Sequence, residues 1–125
     1  MKMIEAVRAH QALLELKSKE LNYDFAVAVL QALRETSIPA EIFGRSEAKL
    51  VEKYAKRDEK GNIAWTDNRT FSFANAIDSE HYNKEKSALS ETEVLSDFKP
   101  ILVNHPTAIS PAILEAITCV IAFKE

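Results

Sequence analysis

At 125 residues, with 46% hydrophobic and 28% charged side chains, the chain has the size and composition of one globular domain. Sixteen basic against nineteen acidic residues leave a net charge of -3, and no run of like charge is long enough to form a nucleic-acid stripe. A single cysteine excludes an intrachain disulfide framework, and two glycines leave little from which to build a phosphate-cradling loop.

The N-terminal stretch from Met3 to about Lys19 repeats Ile4, Val7, Leu13, Leu14 and Leu16, with Ala6, Ala9 and Ala12, at three- and four-residue steps. That spacing predicts a first helix. Glu5, Arg8 and His10 interrupt it, so it lacks the apolar core of a signal peptide, and no run reaches the ~20 apolar residues of a membrane span. A soluble, cytoplasmic protein without membrane contact is expected.

Asn22 is a good N-cap with Asp24 in the first turn, so a second helix is expected from Tyr23 to about Glu35. Thr36-Ser37-Ile38-Pro39 then predicts a tight join between two helices, in preference to one long kinked helix, because proline disfavours a helical residue before it. A third helix follows from Ala40 to about Arg57, burying Ile42, Phe43, Leu50, Val51 and Tyr54. Gly44 inside it costs about 1 kcal/mol relative to alanine, which suggests that a neighbouring element approaches closely there.

Lys60-Gly61-Asn62 stops that helix and marks the division between a helical half, residues 1–62, and a mixed half, residues 63–125. Splitting the charges at Asn62 gives eleven basic and ten acidic residues before it, and five basic and nine acidic after it. The C-terminal half is the acidic one. Ile63 and Trp65, then Phe71 and Phe73, alternate about Thr66-Asp67-Asn68-Arg69 and predict a short β-hairpin. A fourth helix is expected from Asp78, as N-cap, to about Leu89, with Ile77 and Tyr82 as a hydrophobic staple. Glu93 to Val103 contains Pro100 and reads as an edge strand or extended loop packing Phe98, Ile101 and Leu102. The fifth helix opens with Ser110 as N-cap and Pro111 in its first turn, and carries Ile113, Leu114, Ile117, Val120, Ile121 and Phe123. The expected fold is therefore mainly α with some β: a bundle of about five helices and a small hairpin or edge strand between the third and the fifth.

Chemistry-bearing residues are sparse. His10, His81 and His105 have no metal-ligand spacing with other ligating residues, and Asp78, Glu80 and His81 face different ways on a helix. Asp58-Glu59-Lys60-Gly61-Asn62 lacks the alternating oxygen ligands of a calcium loop and reads as a turn. No nucleotide, nucleophile-elbow or zinc-protease motif occurs, so neither an enzyme nor a cofactor is expected. Lys49, Lys53, Lys56 and Arg57 give the third helix a basic face, but Glu47, Glu52, Asp58 and Glu59 alternate with them and make nucleic acid an improbable partner. Trp65, Arg69, Phe71 and Phe73 form the candidate contact surface. Ile113, Ile117, Val120, Ile121 and Phe123 are either core or the interface of a homo-oligomer.

The ordered series KLVEKYAKRDEKGNI, RTFSF, SEHYNKEKSALSETEV, FKPI and ISPAILEAI resembles a family of small uncharacterised proteins encoded by tailed bacteriophages and prophages. The likeness runs from Leu13 to Phe123 and lies in the order and spacing of the pieces. Asn22-Tyr23 and Thr118-Cys119 depart from it. The resemblance implies phage origin, a bacterial cytoplasm or a virion as location, and a non-enzymatic accessory or assembly role through a phage or host protein partner. Two other readings compete with that role. One is a host-directed inhibitor that mimics nucleic acid by clustering Asp67, Asp78, Glu80, Glu91, Glu93 and Asp97. The other is a weak nucleic-acid binder using the third helix.

Overall fold

A computed structural model describes residues 1–67, 70–104 and 109–124. In chain order the elements are α1 (Met3–Lys17), α2 (Tyr23–Tyr54), α3 (Ala76–Glu91), β1 (Ile101–Val103), α4 (Pro111–Ile117) and β2 (Ile121–Phe123). The protein is mainly helical with a small two-stranded parallel sheet.

α1 presents Ala6, Ala9, Ala12, Leu13 and Leu16 inward, and its three small residues let α2 come close. Asn22 caps α2 as the sequence indicates, its side chain accepting from the Phe25 amide at 2.9 Å. Phe25, Ala28, Val29 and Ala32 then face α1. Thr36, wholly buried one turn further on, accepts from or donates to His10 Nδ1 at 2.9 Å while its hydroxyl lies 3.0 Å from the Ala32 carbonyl. The hydroxyl has one proton, and the carbonyl can only accept. With that proton on Ala32, Nδ1 of His10 is the donor to the Thr36 hydroxyl.

The expected break at Thr36–Pro39 is absent. The second and third helices are one 32-residue α2 with Pro39 inside it. Proline removes one main-chain hydrogen bond and crowds the carbonyl four residues back, but both Pro39 and Phe43 are buried and hold the helix course. α2 stops at Tyr54, three residues short of the expected Arg57, because Ala55 turns extended and Lys56 donates to the Ser72 carbonyl at 2.8 Å. Arg57 still serves the helix end: its guanidinium donates to the Glu52 carbonyl.

The expected close approach at Gly44 is also absent, since a Cβ built there meets nothing within 4 Å. The helix-propensity cost of this glycine is uncompensated. Gly44→Ala is expected to stabilise the protein by about 1 kcal/mol, read as a raised midpoint in thermal or urea unfolding.

α3 is capped one turn earlier than expected. Asn75, not Asp78, is the N-cap, its side chain accepting from the Asp78 amide at 2.8 Å and leaving Asp78 in the first turn. Ile77 is 64% exposed, so it makes no staple with buried Tyr82. α3 is a surface helix, with Tyr82 its single buried residue.

The greatest departure is at the C-terminal end. The expected fifth helix closes after Ile117, and Ile121–Phe123 becomes β2, parallel to β1 with Ile101 opposite Ile121 and Val103 opposite Phe123. β1, α4 and β2 thus form a compact βαβ unit. Val103, Ile117, Val120 and Ile121 enter the same core as α1 and α2, whereas Leu102, expected to pack inward, is 59% exposed. Phe98 and Ile101 do pack against that core.

Candidate functional site

The second half of α2, the chain that follows it and α3 enclose the candidate contact surface. After Ala55 the backbone folds into three short extended pieces joined by antiparallel bridges: Arg57 with Ile63, Trp65 with Phe71, and Ala55 with Phe73. Asp58 holds the first turn, its carboxylate accepting from the Lys60 and Asn62 amides at 2.9 and 3.0 Å, and Gly61 takes the positive φ of +83° that this turn requires. The turn expected at Asp58–Asn62 is present. Asp67 accepts from the Thr70 amide at 2.8 Å beyond Trp65. Trp65 and Phe71 do face each other as the hairpin reading expects, but the partner of Phe73 is Ala55, at the end of α2.

The aromatic rings make a second, smaller core. Phe71 meets Trp65 edge-on at 6.1 Å between centroids, and Phe73 and Tyr82 at 5.3 and 5.5 Å. Phe73 and Tyr82 are 5.2 Å apart. Such pairs contribute roughly 0.5–1.5 kcal/mol each beyond the area they bury. Ion pairs from Lys53 to Glu85 at 3.3 Å and Lys86 to Glu47 at 3.2 Å clamp α3 onto α2. The Lys53 amine titrates above the usual lysine range through its contacts with the Tyr54 hydroxyl and Glu85. For Lys86, burial works against the charge, and the bond to Glu47 more than offsets it.

Over this small core lies a groove of about 510 Å³ whose floor includes Gly44 and Ala48 of α2 and whose walls include Ile63, Trp65, Phe71 and Tyr82. Trp65 is 51% exposed at its rim. Of the four residues in the candidate surface, Trp65 is open to a partner, Phe71 and Phe73 are half-buried in the ring stack, and Arg69 lies outside the described residues. Ala48 gives no sign of this role in the sequence, and Gly44 stands out there only as an interior helix glycine, expected to mark a close approach rather than a groove floor.

The five residues expected as core or as a subunit interface divide clearly. Ile117, Val120 and Ile121 are 0–1% exposed inside the chain's own core, with Ile113 and Phe123 packed against it, Phe123 at 6.0 Å from the Phe25 ring. The core reading therefore holds for Ile117, Val120 and Ile121, which pack in one cluster with residues of α1 and α2. Cys119 is half-buried, and burial, with Glu5 nearby, pushes its thiol above the usual range.

Two of the six acidic residues proposed as a mimicking cluster are already ion-paired, Glu91 to Lys2 at 2.5 Å and Glu93 to the N-terminal amine at 3.4 Å. On the basic face of α2, Lys53 is paired and Arg57 closes the helix end. His81 lies against the Tyr54 ring, and His105 falls outside the described residues. Among the described residues there is no group of three His, Cys, Asp or Glu side chains that could hold a metal, and no helix long and apolar enough to cross a membrane.

The fold and this groove define a mainly helical α+β protein with an aromatic-rimmed surface. No family model matches the sequence, and neither a curated protein nor a solved structure matches it.

Proposed function

We propose that the protein is a non-enzymatic accessory or assembly factor of phage or prophage origin that works by protein–protein contact through the Trp65 groove. One observation carries this reading: a half-exposed tryptophan stands over a groove floored by an interior helix glycine that nothing else packs on. Tryptophan is enriched at binding hot spots, where it buries a large rigid surface at low entropic cost. A glycine that lowers helix stability by about 1 kcal/mol without a structural return is understandable when it keeps room for a partner. The phage origin rests on the ordered motifs from KLVEKYAKRDEKGNI to ISPAILEAI.

A photo-crosslinking side chain in place of Trp65, in the infected or lysogenic bacterium, tests it. One discrete protein adduct is expected at position 65 and none at position 77, where the exposed Ile77 lies in the first turn of α3. No adduct at position 65, or the same products at both positions, would count against the reading.

A further inference from the structure

α3 closes one side of the aromatic core, and little apolar surface holds it there. Of its sixteen residues only Tyr82 is buried. The rest of the seam it turns to the protein is half-buried and mostly polar: Asp78, Ser79, Glu85, Lys86 and Ser90, with Leu89. An element with so few buried apolar contacts opens locally at a lower free energy than the main core of the same chain.

Charge supplies part of the grip. Lys53 meets Glu85 at 3.3 Å and Lys86 meets Glu47 at 3.2 Å, and the four side chains are 38–59% exposed, so water and salt reach both pairs. Lys86 Nζ also lies 5.7 Å from the centre of the Tyr82 ring. The closed position carries a cost, because Glu85 Oε2 is shut off from solvent and accepts no hydrogen bond among the described residues. Swinging α3 outward hydrates that oxygen. The C-terminal end of α3 is tied down separately: the Thr92 carbonyl accepts from the Met3 amide at 2.8 Å, and Glu91 pairs with Lys2. α3 thus has a fixed end and a latched middle.

We infer that α3 is a lid on the aromatic core, latched by the Lys53–Glu85 and Lys86–Glu47 pairs, which opens about its C-terminal end and bares Phe71, Phe73 and its own Tyr82. Tyr82 and Lys86 also line the Trp65 groove, so the same movement widens that groove. A partner entering beside Trp65 gains three further rings once the lid is open. The lid's service to the groove rests on the reading of Trp65 as a contact; the opening itself does not.

Amide hydrogen exchange of the full chain, followed by NMR with no partner present, tests the lid. The amides of Tyr82 to Leu89 are expected to exchange through one shared opening with those of Lys56 and Ala64, which donate to the Ser72 and Lys56 carbonyls across the bridged pieces. That opening should run well ahead of exchange at Val29 and Ile101 in the larger core. Lys86→Glu sets a like charge against Glu47 and should speed the opening about fivefold, and adding Glu47→Lys should bring the rate back towards that of the unaltered chain. About 1 M sodium chloride should speed it roughly threefold in the unaltered chain. Val29 and Ile101 should keep their rates throughout. Exchange of α3 at the pace of Val29, indifference to Lys86→Glu or to salt, or a double variant no slower than the single one overturns the inference. So does an equal acceleration at Val29 and Ile101, which means that the whole fold has weakened. A failed partner capture at Trp65 leaves these rates untouched, so the two readings fail separately.

Discussion

Phe25→Ala is expected to destabilise the protein by about 3–5 kcal/mol, a large share of the ~5–15 kcal/mol that holds a domain together. Phe25 is 1% exposed, stands at the start of α2 among Leu13, Val29 and Ile121, and stacks on Phe123. Truncation removes an aromatic payload and leaves a cavity that Ala28 and Ala32, being small and fixed on the same helix, cannot fill. Urea unfolding followed by circular dichroism measures the effect. Ile117→Ala, on α4, should behave alike at about 2–5 kcal/mol, because it belongs to the same core. If Ile117 lay in a subunit interface instead, its loss would appear as a concentration dependence of the unfolding midpoint. An unfolding midpoint independent of protein concentration is the expected result.

The second large effect is local. Tyr82→Ala should cost about 3 kcal/mol, chiefly in the aromatic lobe, because the Tyr82 ring is what Phe71 and Phe73 pack on and is the single buried side chain of α3. The expected readout is limited proteolysis: new cleavage between Ala55 and Ala74, while the α1–α2 core keeps its protection. Bridged pieces this short are marginal without a packed face. Equal loss of protection in both regions would mean that the two cores fold as one unit.

These two experiments bear on the parts of the fold that were hardest to read. Helix starts were legible where a side chain acts on its own neighbours: Asn22 caps α2, and Pro111 opens α4. Asn75 also caps locally, yet Asp78 competes for that role in the sequence, and only the hydrogen bond to the Asp78 amide decides between them. Helix ends were harder, because they depend on partners remote in the chain. α2 stops at Tyr54 where Lys56 finds Ser72, and the C-terminal segment leaves the helix where Ile121 finds Ile101.

A run such as ITCVIAF is apolar enough for either a buried helix or a buried strand. Its β-branched Thr118, Val120 and Ile121 lean towards the strand, but the parallel partner that settles it lies about twenty residues back. At Pro39 the local rule failed for the opposite reason. A lost hydrogen bond is a fixed local cost, whereas the burial of Pro39 and Phe43 that offsets it is tertiary. The candidate surface was half legible. Its aromatic side could be picked out along the chain, while Gly44, Ala48 and Tyr82 join it only through the packing of α2 against α3.

The claim that Trp65 and its groove are the working surface is tested most directly by affinity capture from the infected or lysogenic bacterium, comparing the unaltered protein with Trp65→Ala and Ile77→Ala at matched unfolding midpoints. Both side chains are more than half exposed, so neither substitution should endanger the fold. A hot-spot tryptophan contributes about 2 kcal/mol or more to binding. The expected result is a stoichiometric protein partner recovered with the unaltered chain and with Ile77→Ala, and reduced at least about tenfold with Trp65→Ala. Recovery of that partner undiminished by Trp65→Ala, or of no stoichiometric partner at all, would contradict the account.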